Sequence, residues 1–305
     1  MVEQWCVRVP AAQGEKTRQT LIREGALDKT LRIRRDGTML LIPVTGPRGG
    51  AGRCRFEPNT ARPRLPRHEL VGGIAIMQEC DRDGAALILA ARPSLHTVAC
   101  ASGEVAGEYR TRKFEVLAGR PTTRTEVVEH GHRFIVDLSR AYFSARLSSE
   151  RQRILARVRQ GETVLDMFSG VGPFAITLAA KARLVAAADL NPEAVVLMIE
   201  NIRKNRSRNV LPVLADAHHL PSLVPGGFDR VVMNLPLSGT EFLEDAFSLC
   251  RPGGSIHFYS LVSGEGEHCA RIRELGGEVA AERVVRSYSP AQWHAVYDIC
   301  TGKEE

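Results

Sequence analysis

The 305-residue sequence predicts an α/β protein in which two smaller α/β domains precede a larger one built on a doubly wound, mostly parallel sheet. Three observations carry that prediction. From Ser148 onward, short apolar runs alternate with helical periodicity, the pattern of βα units in a parallel sheet. A Gly-, Pro- and Arg-rich stretch over 46–68 carries almost no apolar periodicity and reads as an interdomain linker. On each side of it lies a segment that mixes strand-like with helix-like runs. The expected boundaries are 1–58, 68–140 and 141–305.

In the first segment WCVRVP (5–10) reads as a strand, AQGEKTRQTLIREGAL (12–27) as a helix with Leu21 and Ile22 facing inward, and MLLIPVT (39–45) as a strand. After the linker, ELVGGIAIMQ (69–78), AALILAARPSLHTVACAS (85–102), FEVLAG (114–119) and RFIVDL (133–138) are β-rich with one helical stretch among them. The third segment opens with a helix at SSERQRILARVRQ (148–160). Strands follow at TVLDMF (163–168), RLVAAADL (183–190), VLPVLAD (210–216), FDRVVMNL (228–235) and SIHFYSLVS (255–263), with helices between them.

Composition narrows the function classes. With 44% hydrophobic and 25% charged residues the chain is ordinary for a globular protein, which argues against disorder. No apolar run approaches the roughly 20 residues needed to span a bilayer. MVEQWCVRVP has neither the basic nor the apolar region of a secretory signal, so a cytoplasmic protein is expected. The net charge of +6 collects in RIRRDG (32–37), the linker, YRTRKFE (109–115) and NIRKNRSRN (201–209). Separated basic stretches suit a long polyanion such as folded RNA, although any one of them alone also suits a solvated face. The seven cysteines contain no C-x-x-C pair, so reduced, mostly buried thiols are expected rather than a disulfide framework or zinc knuckle. The close histidine pairs, His130 with His132 and His218 with His219, have no cysteine or carboxylate cluster at ligand spacing, and no metal is expected.

In TVLDMFSGVGPFAITLAA an apolar strand ends in Asp166, passes through Gly170 and Gly172, and enters an apolar helix. Two glycines let the backbone turn sharply and approach a ligand at the carboxyl end of the first strand. The third glycine of a dinucleotide fingerprint is absent, since Ala175 stands two residues after Pro173. The next strand ends in Asp189, where a carboxylate reaches ribose hydroxyls, and the third in Asp216 and Ala217, where an adenine edge would lie. Each acid alone also suits a helix N-cap. Three acids at three successive strand tips suit a nucleoside without phosphates.

That pattern resembles a Rossmann-like class I methyltransferase domain dependent on S-adenosyl-L-methionine, and Asn234-Leu235-Pro236 falls where such domains carry their fourth-strand substrate motif. The Asn234 side-chain oxygen and the backbone beside Pro236 could accept hydrogen bonds from a planar nucleobase. The block over 108–151, EYRTRKFEVLAGRPTTRTEVVEHGHRFIVDLSRAYFSARLSSER, with DMFSGVGPF, MNLP and the N-terminal CVRVP and LIREGALDKTLRIRR, resembles the archaeal and eukaryal-type tRNA (guanine-37-N1) methyltransferases across essentially the whole chain.

The resemblance implies a first domain that contacts the outer corner of the tRNA, a middle domain, and a methyltransferase domain that holds the anticodon stem-loop. It implies methylation of N1 of guanine 37 by a monomer. It places Arg110 on the guanine O6, Glu150 as general base, Tyr142 beside the flipped base and Arg151 at the cofactor pocket, with Phe168 and Leu190 completing the cofactor contacts. Arg146 has a support role. From the residues alone, Glu150 also suits a helix start, Arg110 a phosphate contact and Tyr142 core packing. Arg151 and Arg146 are expected to flank Glu150 and favour its ionised form. Two departures stand out: Ala145 replaces the family's proline in YFSARL, and Gly73 replaces an acid in LVGGIAI. The nearest rival is aminocarboxypropyl transfer in the wybutosine pathway, or methylation of a wyosine precursor. Intact Gly172-Pro173-Phe174 and Asn234-Leu235-Pro236 favour methyl transfer over aminocarboxypropyl transfer, and do not separate guanine from a wyosine precursor. A silent RNA-binding relative would be expected to lose the acids at the strand tips.

Overall fold

The computed structural model describes residues 1–59, 65–106 and 111–302 and divides the chain into two compact units, Met1–Arg64 and Leu65–Glu305. In the first unit β1 (Val2–Pro10), α1 (Gly14–Arg23), β2 (Arg34–Asp36), β3 (Met39–Pro43) and β4 (Gly52–Phe56) form an antiparallel sheet of order β2-β3-β1-β4 with one helix. Strand β4 corrects the reading of 46–68 as linker throughout. Cys54 and Phe56 pack toward Cys6, Leu31 and Leu41, while Arg53 and Arg55 face solvent. Two apolar positions at spacing two suffice for an edge strand, and the Gly and Arg content hid them.

The thiol expectation is corrected as well. Cys6 is bonded to Cys54 and Cys80 to Cys100, with Cα atoms 6.0 and 5.3 Å apart. Separations of 48 and 20 residues leave no local spacing signature. Cys6 and Cys54 meet because antiparallel pairing of β1 with β4 makes them diagonal neighbours, Cys6 lying opposite Gly52. Of the others, Cys250 is buried, Cys269 half-buried and Cys300 exposed.

The second unit opens with β5 (His68–Val71), β6 (Ile74–Met77), α2 (Arg82–Ala91), β7 (Thr97–Ala106) and β8 (Thr111–Gly119), a sheet of order β5-β6-β7-β8, followed by the hairpin β9 (Arg124–Glu129) and β10 (His132–Asp137). Gly73 has a steric reason here: a Cβ would lie 2.4 Å from His96 Cδ2.

The large sheet follows. Its elements are α3 (Ser148–Arg157), β11 (Thr163–Asp166), α4 (Pro173–Leu178), β12 (Leu184–Asp189), α5 (Pro192–Asn205), β13 (Val210–Leu214), α6 (Leu220–Leu223), β14 (Phe228–Met233), α7 (Leu243–Leu249), β15 (Cys250–Val262), α8 (Cys269–Glu274), β16 (Gly277–Ser289) and β17 (Gln292–Thr301). The strand order is β13-β12-β11-β14-β15-β17-β16, and only β17 runs against the rest. Both faces are buried, as a parallel sheet requires. Leu165, Val231, Met233, Ile256 and Phe258 pack on one face; Val164, Val232, Tyr259 and Val296 pack on the other with Ile154 of α3 and Phe174 of α4.

The β9–β10 hairpin is tied to α5 through two asparagines one helical turn apart. The Asn201 carboxamide accepts from Ile135 N–H at 2.6 Å and donates to the carbonyls of Ile135 and Val171 at 3.0 Å each. Asn205 repeats the exchange with Arg133, at 2.9 and 2.8 Å. Residues four apart on a helix match residues two apart on a strand in rise, which lets one amide pair mimic a neighbouring strand. Among the described residues no helix is long and apolar enough to cross a membrane.

Candidate cofactor and nucleobase site

The chain leaves β11 toward β12 on one side and returns to β14 on the other, so the order reverses at β11 and opens a crevice at the carboxyl ends. Gly170 and Gly172 turn there with φ of +55° and +87°, values that favour glycine. A Cβ on Gly172 would also lie 2.9 Å from Met198 Cγ.

Each acid at a strand tip has a different environment. Asp166 is fully buried, and among the described residues neither of its carboxylate oxygens finds a hydrogen bond of full geometry. The Ser169 hydroxyl donates instead to the Asp166 main-chain carbonyl at 2.9 Å. Burial pushes the Asp166 pKa up to about 7, with the Asp189 charge adding to the rise and the nearby Ser169 hydroxyl and the Phe168 and Ala175 N–H groups offsetting part of it. Asp189 accepts from Gly170 N–H at 2.6 Å and from Asn191 N–H at 2.9 Å, which ties the glycine loop to the second strand tip. Burial raises its pKa against those two N–H groups. It is not a helix cap: Asn191 caps α5. Asp216 does cap a turn, accepting from His218 N–H at 3.0 Å through one oxygen.

Phe242, which no sequence pattern singled out, links side chains of the first and third tips. Phe168 meets Phe242 edge-on at 5.1 Å, and Phe242 stacks on His218 at 4.1 Å. Leu190 is half-buried beside Asp189, and Ala217 is buried beside Asp216.

Asn234 follows β14, whose last residue, Met233, pairs with Phe258. Alternation places Asn234 on the sheet face of Val232 and Tyr259, and its carboxamide makes no hydrogen bond among the described residues. The Leu235 and Pro236 carbonyls are engaged, accepting from Gly239 and Leu261 N–H at 2.8 Å. Glu150 lies on that same face. It is 3% exposed, and its Oε2 accepts from Arg153 Nε at 2.7 Å and from the Tyr259 hydroxyl at 3.1 Å. Its Oε1 accepts from Arg283 Nη2 at 2.8 Å.

The arginines around Glu150 are therefore not the expected ones. Arg151 is bidentate to Glu129 at 2.7 and 3.0 Å, donates to the Ser144 carbonyl at 3.2 Å, and lies between the Phe143 and Phe174 rings. Arg146 pairs with Glu69 at 2.7 Å. Helical geometry explains the difference for Arg151: side chains three apart share a face, as Glu150 and Arg153 do, whereas neighbours in sequence diverge; Arg146 lies in the 3₁₀ turn before α3. Tyr142 is 49% exposed at the rim, its carbonyl 3.5 Å from where a Cβ on Gly170 would stand. Ala145 opens the single 3₁₀ turn Ala145–Leu147, a position that also accepts proline. Arg110 lies outside the described residues.

Beyond Glu150 the charge network continues toward the amino ends of the strands. Arg153 Nη1 donates to Asp298 at 2.7 Å, Asp298 is 2.6 Å from His257 Nδ1, and His257 Nε2 is 2.6 Å from Arg230, which bonds Glu162 at 2.9 Å and the Arg157 carbonyl at 3.0 Å. Burial lowers the His257 pKa to about 4, so the ring is neutral: Nε2 accepts from Arg230 and Nδ1–H donates to Asp298. A cavity of about 290 Å³ opens beside this cluster, at the end of the sheet away from the strand-tip acids.

Comparison with known proteins places this arrangement. The model of the TRM5/TYW2 methyltransferase domain matches residues 125–287, and that of the tRNA methyltransferase 5 N-terminal domain matches residues 6–51. The chain is 37% identical to tRNA (guanine(37)-N(1))-methyltransferase Trm5b of Pyrococcus abyssi, over 96% of this chain and 97% of that one. The crystal structure of wild-type Trm5b from P. abyssi superposes with a TM-score of 0.78 at 36% identity, covering 98% and 99% of the two chains. The complex of aTrm5 with tRNALeu also superposes with a TM-score of 0.78, at 28% identity over 97% and 99%.

Proposed function

The chain belongs to the TRM5/TYW2 methyltransferase family, and from that premise we propose that it transfers a methyl group from S-adenosyl-L-methionine to N1 of guanine 37 of tRNA. The observation that carries this reading is the convergence at one end of the sheet of three strand-tip acids, with Asn234 and Glu150 sharing a face beside them. The residues fit the cofactor. Each Asp189 oxygen keeps a lone pair for a ribose hydroxyl beyond the N–H bond it accepts. Asp216 and Ala217 would meet the adenine, with Phe168, Gly170, Gly172 and Leu190 shaping the pocket. The unpartnered Asp166 carboxylate would gain an ammonium or N–H donor. Bound there, the cofactor supplies an electrophilic methyl group on a sulfonium.

This chain's own residues prepare the base. Guanine N1 carries a proton and becomes nucleophilic only as that proton leaves and negative charge develops toward O6. Glu150 accepts the proton, through Oε1 once Arg283 turns away, while Arg153 and Tyr259 keep Oε2 in place. Asn234 and the backbone at Pro236 fix the ring edge, Tyr142 covers the flipped base, Arg110 balances O6, and Arg151 holds the loop that carries Tyr142. Flipping guanine from the loop stack costs a few kcal/mol, which dispersed phosphate contacts offset. In this reading the enzyme works as a cytoplasmic monomer, with 1–58 at the outer corner of the tRNA, 68–140 as the middle domain and 141–305 around the anticodon loop.

The test is mass spectrometry of a tRNA transcript with guanine at position 37 after incubation with methyl-labelled cofactor. One labelled methyl on guanine 37 is expected. An aminocarboxypropyl adduct, or no adduct, overturns the reading.

A further inference from the structure

Strands β16 and β17 continue past the carboxyl end of β15. Val262, the last residue of β15, pairs with Trp293, and the hairpin runs on through Ser289 opposite Gln292. It therefore overhangs the end of the sheet that carries Asp166, Asp189 and Asn234. Its side chains are not those of an idle turn. Arg283 lies opposite Val296 and Arg286 opposite His294, two residues or about 7 Å apart along β17 at ~3.3 Å per residue. Val296 packs on the α3 face, so alternation puts Arg283, Arg286 and His294 on the face of Glu150. Tyr288 is 54% exposed and stacks on His294 with ring centroids 5.4 Å apart and planes 16° from parallel. Register shifts between Val284 and Arg286 and between Ser287 and Ser289 leave Val285 and Tyr288 as inserted residues. Bulges of this kind re-aim a side chain, and the second one carries the half-exposed Tyr288 ring.

A ring with one face on a histidine and two guanidiniums leading from it to Glu150 match single-stranded nucleic acid: bases stack and phosphates pair with arginine. We propose that the β16–β17 hairpin is a binding site for the single-stranded RNA flanking the target base, with Tyr288 as its stacking platform and Arg283 and Arg286 as its phosphate contacts. The proposal rests on the tRNA reading above and adds a site to it. Arg283 joins the two: a phosphate that draws it outward releases Glu150 Oε1.

The experiment measures affinity of the full-length protein for a guanine-37 tRNA transcript at several salt concentrations, with thermal unfolding of each variant alongside. Tyr288→Ala weakens binding about tenfold while Tyr288→Phe restores it, because stacking needs the ring and not the hydroxyl. Arg286→Gln lowers the slope of log affinity against log salt by about one. Binding by Tyr288→Ala within about twofold of wild type, or Phe as weak as Ala, overturns the platform. An unchanged slope for Arg286→Gln overturns the phosphate contact. A wild-type protein that binds tRNA but transfers no methyl defeats the enzymatic reading and leaves these affinities to decide the hairpin; one that binds no tRNA defeats both.

Discussion

Toward the amino ends of the parallel strands, buried Arg230 is met by Glu162, the His257 imidazole and the Arg157 carbonyl, and His257 in turn by Asp298. At the carboxyl ends Asp166 is at least as deeply buried and its carboxylate has no full partner among the described residues. Both arrangements remove charge from water, which costs several kcal/mol per ion unless something replaces the lost hydration. In the first cluster the protein itself replaces it, and the cluster is structural. In the second the chain's own groups, the Ser169 hydroxyl and the Phe168 and Ala175 N–H, offset only part of the loss. A buried polar group left open is thus a more direct sign of a ligand than a buried polar group as such.

Removing a partner from the closed cluster should have the largest effect. Arg230→Ala strands Glu162 and His257 and should cost about 3–5 kcal/mol of stability in urea unfolding. A loss under about 1 kcal/mol would erase the contrast between the two ends. Glu150 stands between the two regimes, since Arg153 links it to Asp298 while Arg283 holds its outer oxygen. Glu150→Gln should slow single-turnover methyl transfer about 100-fold with tRNA affinity nearly unchanged. If the variant loses stability and keeps its rate, Glu150 belongs with the struts.

Asp166→Asn tests the open end. The folded-state pKa of about 7 lies above the 3.8 of an ordinary aspartate, so the ligand-free folded form binds the extra proton between them. That contribution to stability is full below about pH 4 and is lost as pH rises through about 7. Asparagine carries no such charge. Relative to wild type it should gain on the order of 2 kcal/mol by pH 8, read from unfolding temperature against pH, and should bind the cofactor more weakly. A pH-independent difference would mean that Asp166 is solvated or paired after all. The smallest effect belongs to Arg146→Ala, whose pair with Glu69 is exposed on both sides: under about 0.5 kcal/mol in unfolding, because water screens such pairs.

What the sequence disclosed divides along the same line. The strand-tip acids and the glycine turn were legible because each belongs to a continuous strand–turn–helix pattern of a dozen residues. The partners of Glu150 were not: Tyr259 and Arg283 lie 109 and 133 residues away, and only the sheet order brings them in. Local charge counting gave Arg151 to Glu150 because it ignored the helical angle between adjacent side chains, and Arg146 because it could not see Glu69, 77 residues away. The Cys6–Cys54 bond and strand β4 escaped together, since the bond depends on the strand and the strand was hidden among Gly, Arg and Pro.

The carboxamide of Asn201 has a mechanical consequence. It grips both edges of Ile135 in the β9–β10 hairpin and, with the same nitrogen, the carbonyl of Val171, the residue flanked by the two glycines of the turn. A force that shifts the hairpin is delivered through one rigid amide to the segment that shapes the cofactor cradle. The position of the hairpin and the shape of that cradle thereby share a lever.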